Sequence, residues 1–154
     1  MEGSALVQVA GFPVALDRSY HAESHMWVFR TGLAHVRIGM DSLGLETSGT
    51  LAQLSFAPVG SELTAGRPFG QLEAAKFVGP LISPVTGTLL AVNDDVVTDA
   101  SLAERDPYEA GWLIDASLDD PFDELQGLLA DPAAVSAWFA DKIAEYRLQG
   151  VISE

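Results

Sequence analysis

Between Leu51 and Val92 no more than eight residues pass before a glycine or a proline interrupts the chain. Helices in globular proteins average about 11–12 residues, and glycine or proline inside one costs about 1–3 kcal/mol. This middle segment is therefore confined to short strands and turns. Four runs fit that reading, over 51–56, 68–73, 79–82 and 88–92, and short strands punctuated in this way build a small barrel or sandwich. Upstream, 26–29 and 34–38 flank Thr31-Gly32 as a hairpin. Asp41 is placed to cap a short helix reaching about Thr47, with Gly49 ending it.

Helices are expected mainly at the end of the chain. Ser101-Leu102-Ala103-Glu104 has the form of a capping box and predicts a helical turn near 101–105. A strand over 112–117 follows, and then Asp120-Pro121 and Asp131-Pro132. Each of these sets a capping carboxylate before a proline whose missing N–H is not needed at the first helical position. In the last helix Val135, Trp138, Phe139, Ile143 and Tyr146 recur at helical spacing to near Gly150, a stripe expected to pack on the sheets. Trp27, Trp112 and Trp138 are all expected in the core.

With 154 residues, 48% of them hydrophobic, the chain can bury one core of its own. Residues 12–154 are taken as that single domain, and 1–11, which show no periodic pattern, as a flexible N-terminus. The longest apolar runs, such as Val96-Val97 and Leu128-Leu129-Ala130, fall far short of the ~18 residues of a membrane span. No basic segment precedes an apolar one at the start, so a soluble, cytoplasmic protein is expected. The absence of cysteine excludes disulfides, a thiolate nucleophile and Cys-ligated metals. A net charge of −14 opposes nucleic acid and anionic membranes and favours protein partners with basic faces.

Lysine is scarce: six of the eight basic residues are arginine, leaving only Lys76 and Lys142. Lys76 lies between two short apolar strands, where a hairpin tip would expose its amine to a modifying enzyme and let an attached chain swing. Glu73, three residues earlier, is placed to help orient it. A weak repeat supports two similar halves around this point, since Gly49-Thr50-Leu51-Ala52-Gln53-Leu54 resembles Gly87-Thr88-Leu89-Leu90-Ala91-Val92.

The segment Glu73 to Lys76 followed by Ser83-Pro84-Val85-Thr86-Gly87 resembles the lipoylation hairpin of the glycine-cleavage H proteins. The likeness extends to His25-Met26-Trp27-Val28, Val59-Gly60, Gly66-Arg67-Pro68-Phe69, Asn93 and Asp106-Pro107-Tyr108-Glu109-Ala110-Gly111-Trp112, and it spans about residues 20–142. It implies a mainly β fold with short helices, a barrel-sandwich hybrid or hammerhead lipoyl domain with C-terminal helices. It also implies a protein that catalyses nothing alone. Lipoate in amide linkage on Lys76 would shuttle an aminomethyl group, with Glu73, Ala75 and Phe77 beside it. The partners implied are a lipoate ligase or lipoyl transferase, a PLP-dependent glycine decarboxylase, an aminomethyltransferase and dihydrolipoyl dehydrogenase.

Two departures from the family stand out. Phe77 occupies a position that is commonly small, and Ala75 replaces the usual Val, Thr or Ser. The long lead-in over 12–21 is similar to that of H-like lipoate-binding proteins serving a heterodisulfide-reductase-like complex in sulfur oxidation, where the arm would carry sulfur. A family member that is never lipoylated, acting as an interaction module, is opposed by the presence of Lys76 and Glu73. Biotin carriage is opposed by Ala75-Lys76-Phe77 in place of Met-Lys-Met. His21 and His25, with Glu23 between, have a spacing that could bind metal on a helix, but the region is not helical in pattern and lacks a third ligand. The acidic group Asp119, Asp120, Asp123 and Glu124 is expected to cap a helix start in solvent rather than to act chemically.

Overall fold

Val28, Val36, Ile38 and Leu89 face Leu54, Phe69, Leu72 and Leu81 across one apolar core, all of them almost fully buried. That core is the filling between two antiparallel sheets in the computed structural model, which describes residues 5–152. In chain order the elements are β1 (Leu6–Val9), β2 (Phe12–Ala15), β3 (Ser19–His21), β4 (Met26–Arg30), β5 (His35–Met40), α1 (Ser42–Ser48), β6 (Leu51–Phe56) and β7 (Glu62–Leu63). They continue with β8 (Pro68–Ala74), β9 (Val78–Ile82), β10 (Gly87–Val92), α2 (Asp94–Thr98), α3 (Ser101–Arg105), β11 (Ile114–Leu118), α4 (Pro121–Gln126) and α5 (Pro132–Leu148). Six strands, in the order β3-β4-β5-β11-β10-β7, form one of these sheets and β6-β8-β9 the other, while β1 and β2 make a separate two-stranded sheet. The expected mainly β sandwich with short helices is what the chain adopts.

The larger sheet is covered on both faces at one end. Along β4, Met26 and Val28 point into the sandwich while Trp27, on the opposite face, joins a second core with Val14, Ala15, Tyr20, Leu43, Tyr108, Val135, Phe139 and Ile143. This second core seats the α5 stripe on the sheet, as the periodicity predicts. Arg18 is buried within it, its guanidinium 4.7 Å from the Trp27 ring and 4.9 Å from that of Phe29, donating to the Tyr108 carbonyl at 2.8 Å. Ser83 closes the β9–β10 connection: its hydroxyl donates to Val85 O at 2.7 Å, and its N–H donates to Arg67 O at 2.8 Å.

Several expectations need correction. The N-terminal segment expected to be flexible over 1–11 includes a strand, because Leu6–Val9 pair with Phe12–Ala15 and Val7 and Val9 pack on the second core. Residues 1–4 lie outside the described residues. Ser101 is not the cap of α3. The Asp99 carboxylate, two residues ahead, accepts from both its N–H (3.1 Å) and its hydroxyl (2.7 Å), while Glu104 turns away to accept from Leu51 N at 3.2 Å. Trp112 precedes β11 and is only half-buried, under the Arg37 guanidinium at 3.9 Å; Trp138 is half-buried as well, so Trp27 alone of the three is core. Glu124 is not merely solvated, since it accepts from Thr86 N at 2.9 Å. The two copies of the repeat fall in different sheets, β6 at an edge and β10 inside.

All three tyrosines are held above their ordinary pKa of about 10, chiefly by burial, with the Asp41 charge adding to the effect. A raised folded pKa stabilises the fold fully below the unfolded value; that contribution is lost as pH climbs from about 10 through the folded values. Phenolate absorbance is accordingly expected to stay near baseline at pH ~10 in the native protein and to appear on unfolding; half-ionisation there without unfolding would contradict the burial. Truncating the α5 anchor, Phe139→Ala, is expected to cost about 3–5 kcal/mol in a urea melt, and a loss under about 1 kcal/mol would mean that the helix is not integral to the second core.

Candidate functional site

Lys76 sits in the four-residue turn joining β8 to β9, closed by the Ala74 N–H donating to Phe77 O at 2.9 Å. The turn is exposed, but its backbone is not held away from the domain. Ala75 N donates to Thr50 O and Lys76 N to Ser48 O, each at 2.9 Å, which fastens the tip to the end of α1. The side chain is left free: among the described residues Lys76 makes no side-chain hydrogen bond or ion pair, whereas Lys142 pairs with Glu145 at 3.2 Å. Glu73, on β8 opposite Val78, is exposed and does not meet Lys76. Ala75 and Phe77 flank the lysine, and Phe77, 45% exposed, forms with Val78 an apolar patch beside it.

The landing for the tip is built by α1. Asp41, fully buried, caps the helix through Oδ1, which accepts from Gly44 N at 2.8 Å, and holds His25 Nδ1 through Oδ2 at 3.0 Å. The other ring nitrogen of His25 meets the Tyr146 hydroxyl of α5 at 3.1 Å, and the ring stacks on Trp138. His21 instead bonds Ser24 Oγ at 2.7 Å, so the two histidines serve separate contacts. At the far end of α1, Gly49 has φ 84 and ψ −170, a region open in practice only to glycine. A Cβ there would lie 3.1 Å from Lys76 Cε and 3.2 Å from Cγ, so the lysine stem crosses this glycine.

Opposite faces of α1 line two clefts that share Lys76. One, of about 530 Å³, lies between Ser42, Leu45 and Glu46 of α1, Gly11 of the β1–β2 turn with Phe12 and Pro13 at the start of β2, and Glu104 with Arg105. The other, of about 330 Å³, lies along Gly44, Thr47 and Ser48, is walled by Met26, Met40, Phe77, Pro80 and Ile82, and is also lined by Glu23, Ser24 and His25. The sequence marks Gly49 only as a helix stop, and nothing in it joins Gly11, Glu46 and Glu104, which are far apart in the chain. A free amine on a fixed turn, with an apolar trough alongside, can carry an acyl chain that either lies in the trough or extends into solvent.

The family model described as glycine cleavage H-protein matches residues 19–140. The glycine cleavage system H protein of Mycobacteroides abscessus is 42% identical over 96 residues, covering 62% of this chain and 73% of the relative. That of Mycobacterium avium is 41% identical over 104 residues, covering 68% and 78%. A crystal structure of a glycine cleavage system H protein from Mycobacterium marinum aligns with a TM-score of 0.70 at 31% identity, covering 80% of this chain and 98% of that one.

The strain and crowding at Gly49 make a direct test of the landing. Gly49→Ala is expected to lose about 1–3 kcal/mol in a urea melt and to exceed Gly60→Ala, which also has a positive φ (96) but open space around it. Equal losses would show that the Lys76 stem does not press on Gly49.

Proposed function

This chain belongs to the glycine cleavage H-protein family, and from that premise we propose that it bears a lipoyl group in amide linkage on Lys76. The observation that carries the assignment is the contrast between the two lysines. Lys76 is unpaired on a backbone-fixed turn, and Lys142 is tied to Glu145 along a helix. Such a protein is a carrier component of the glycine cleavage system. When bound, the dithiolane would supply the redox and group-carrying chemistry, and the partners this reading implies are a PLP-dependent glycine decarboxylase, an aminomethyltransferase and dihydrolipoyl dehydrogenase.

The residues of this chain tether, present and shelter. Two backbone hydrogen bonds fix the point of attachment, so that the arm's flexibility begins at the lysine side chain and its far end samples a bounded volume at high effective concentration. Met26, Met40, Pro80 and Ile82 offer an apolar trough in which a ring can be kept from water between encounters. Phe77 and Val78, exposed next to the attachment point, give a docking enzyme an apolar contact, and the acidic surface favours partners with basic faces. We propose the cytoplasm as the compartment of this work. Sulfur carriage is not favoured, since the matching family model and the relatives are glycine cleavage H proteins.

Intact-mass analysis after treatment with a lipoate ligase, followed by peptide mapping, checks the assignment. One lipoyl increment on the Lys76 peptide, absent from Lys76→Arg and retained in Lys142→Arg, is the expected outcome. An unmodified Lys76 would overturn the carrier reading.

A further inference from the structure

Resting on the reading that this chain is a carrier, we propose that the end of the molecule opposite Lys76 is a docking surface. Its occupant is another protein component of the same system, with an apolar socket rimmed by lysine and arginine, which holds the body of the carrier while the arm stays free. The centre of the surface is a pair of apolar side chains standing in water, Leu33 at 87% and Phe122 at 71% exposure. They share one end of the molecule because Leu118 N donates to Ala34 O at 2.7 Å, which ties the β4–β5 turn to the strand from which α4 follows.

Both side chains are presented from braced backbone. In the β4–β5 turn His35 O accepts from Thr31 N (2.9 Å) and Gly32 N (3.2 Å), and the Arg30 guanidinium folds over to donate to Gly32 O and Leu33 O. The α4 segment is capped by Asp120, packs Leu125 and Leu128 on the main core, and is tied to Thr86 N by Glu124. A solitary exposed apolar residue is ordinary. Two of them on fixed supports have given up their ordering entropy in advance, which is the condition for a strong apolar anchor. Charge selects the occupant. Asp119, Asp120 and Asp123, around Phe122, are exposed and enter no ion pair among the described residues. A second copy of the chain, at −14, is repelled by them, whereas a basic rim is attracted.

The placement leaves the arm at liberty. β5 runs from this end to Met40 and α1, the base of the lysine turn, and β9 runs back from the lysine turn toward Thr86 beside α4. The six residues of β5, at about 3.3 Å each, keep the two ends roughly 20 Å apart. A partner seated on Leu33 and Phe122 thus leaves Lys76 open to a second enzyme.

The test is titration calorimetry of full-length Lys76→Arg, which puts no arm into any active site, against purified glycine decarboxylase, aminomethyltransferase and dihydrolipoyl dehydrogenase of the same organism. At least one is expected to bind. Adding Leu33→Ser and Phe122→Ser is expected to weaken that binding about tenfold or more at an unchanged urea midpoint, since both side chains are exposed; Leu33→Ser alone serves if the midpoint falls. Phe77→Ser, at the lysine end, is expected to leave it unaltered. The affinity is expected to fall with added salt, less steeply once Asp119→Asn and Asp123→Asn are introduced. With the unsubstituted chain, a lipoate ligase is expected to modify Lys76 at an undiminished rate while that partner is bound. Binding by none of the three, equal affinity of the serine variant, loss in Phe77→Ser alone, or a blocked ligase would overturn the docking surface. Lipoylation read by mass reports on the carrier reading separately, because the affinities are measured without the arm.

Discussion

One buried carboxylate organises the functional end of the molecule. Asp41 is fully enclosed, and each of its oxygens is used, one capping α1 and the other holding His25, while its own N–H returns to the His25 carbonyl at 2.8 Å. A charged group taken out of water is tolerated only when its lone pairs are met, so the positions of α1 and of the turn before β4 are fixed together. His25 accepts a left-handed backbone (φ 58) as part of that arrangement and extends it to Tyr146 on α5. Everything on which the lysine turn rests follows from the orientation of this seven-residue helix, too short to persist alone.

The consequence is a division between a rigid base and a free end. Ser48 and Thr50 receive the backbone of the turn, and Gly49 between them leaves room for the lysine stem. A larger residue at that point would need both a disfavoured backbone and space that the stem fills. The helix that fixes the turn also separates the two clefts, so the geometry of attachment and the geometry of shelter have a common origin.

Much of this was legible in the sequence, where local chemistry decides the outcome. Asp41, Asp120 and Asp131 cap helices as their types require, and the strands of the middle segment fall within a residue or so of their expected limits. What escaped was decided by distant partners. β7 is two residues long and exists because β10 offers it an edge; β1 is held by β2 and by the second core rather than by its own pattern. The capping box failed because Asp99 reached Ser101 first and Leu51 claimed Glu104. The lysine itself was singled out by resemblance, since strand and turn propensities mark a hairpin without saying what its tip bears. The clefts could not be read at all, the walls of one being drawn from four separate parts of the chain and those of the other from three.

The scarcity of lysine has a practical side. Positive charge on this surface is carried almost wholly by guanidinium groups, which do not acylate under mild conditions, and of the two side-chain amines one is engaged along α5. Before any group is attached there, a dye ester or a crosslinker thus meets at the tip the one lysine that, among the described residues, has no ion pair.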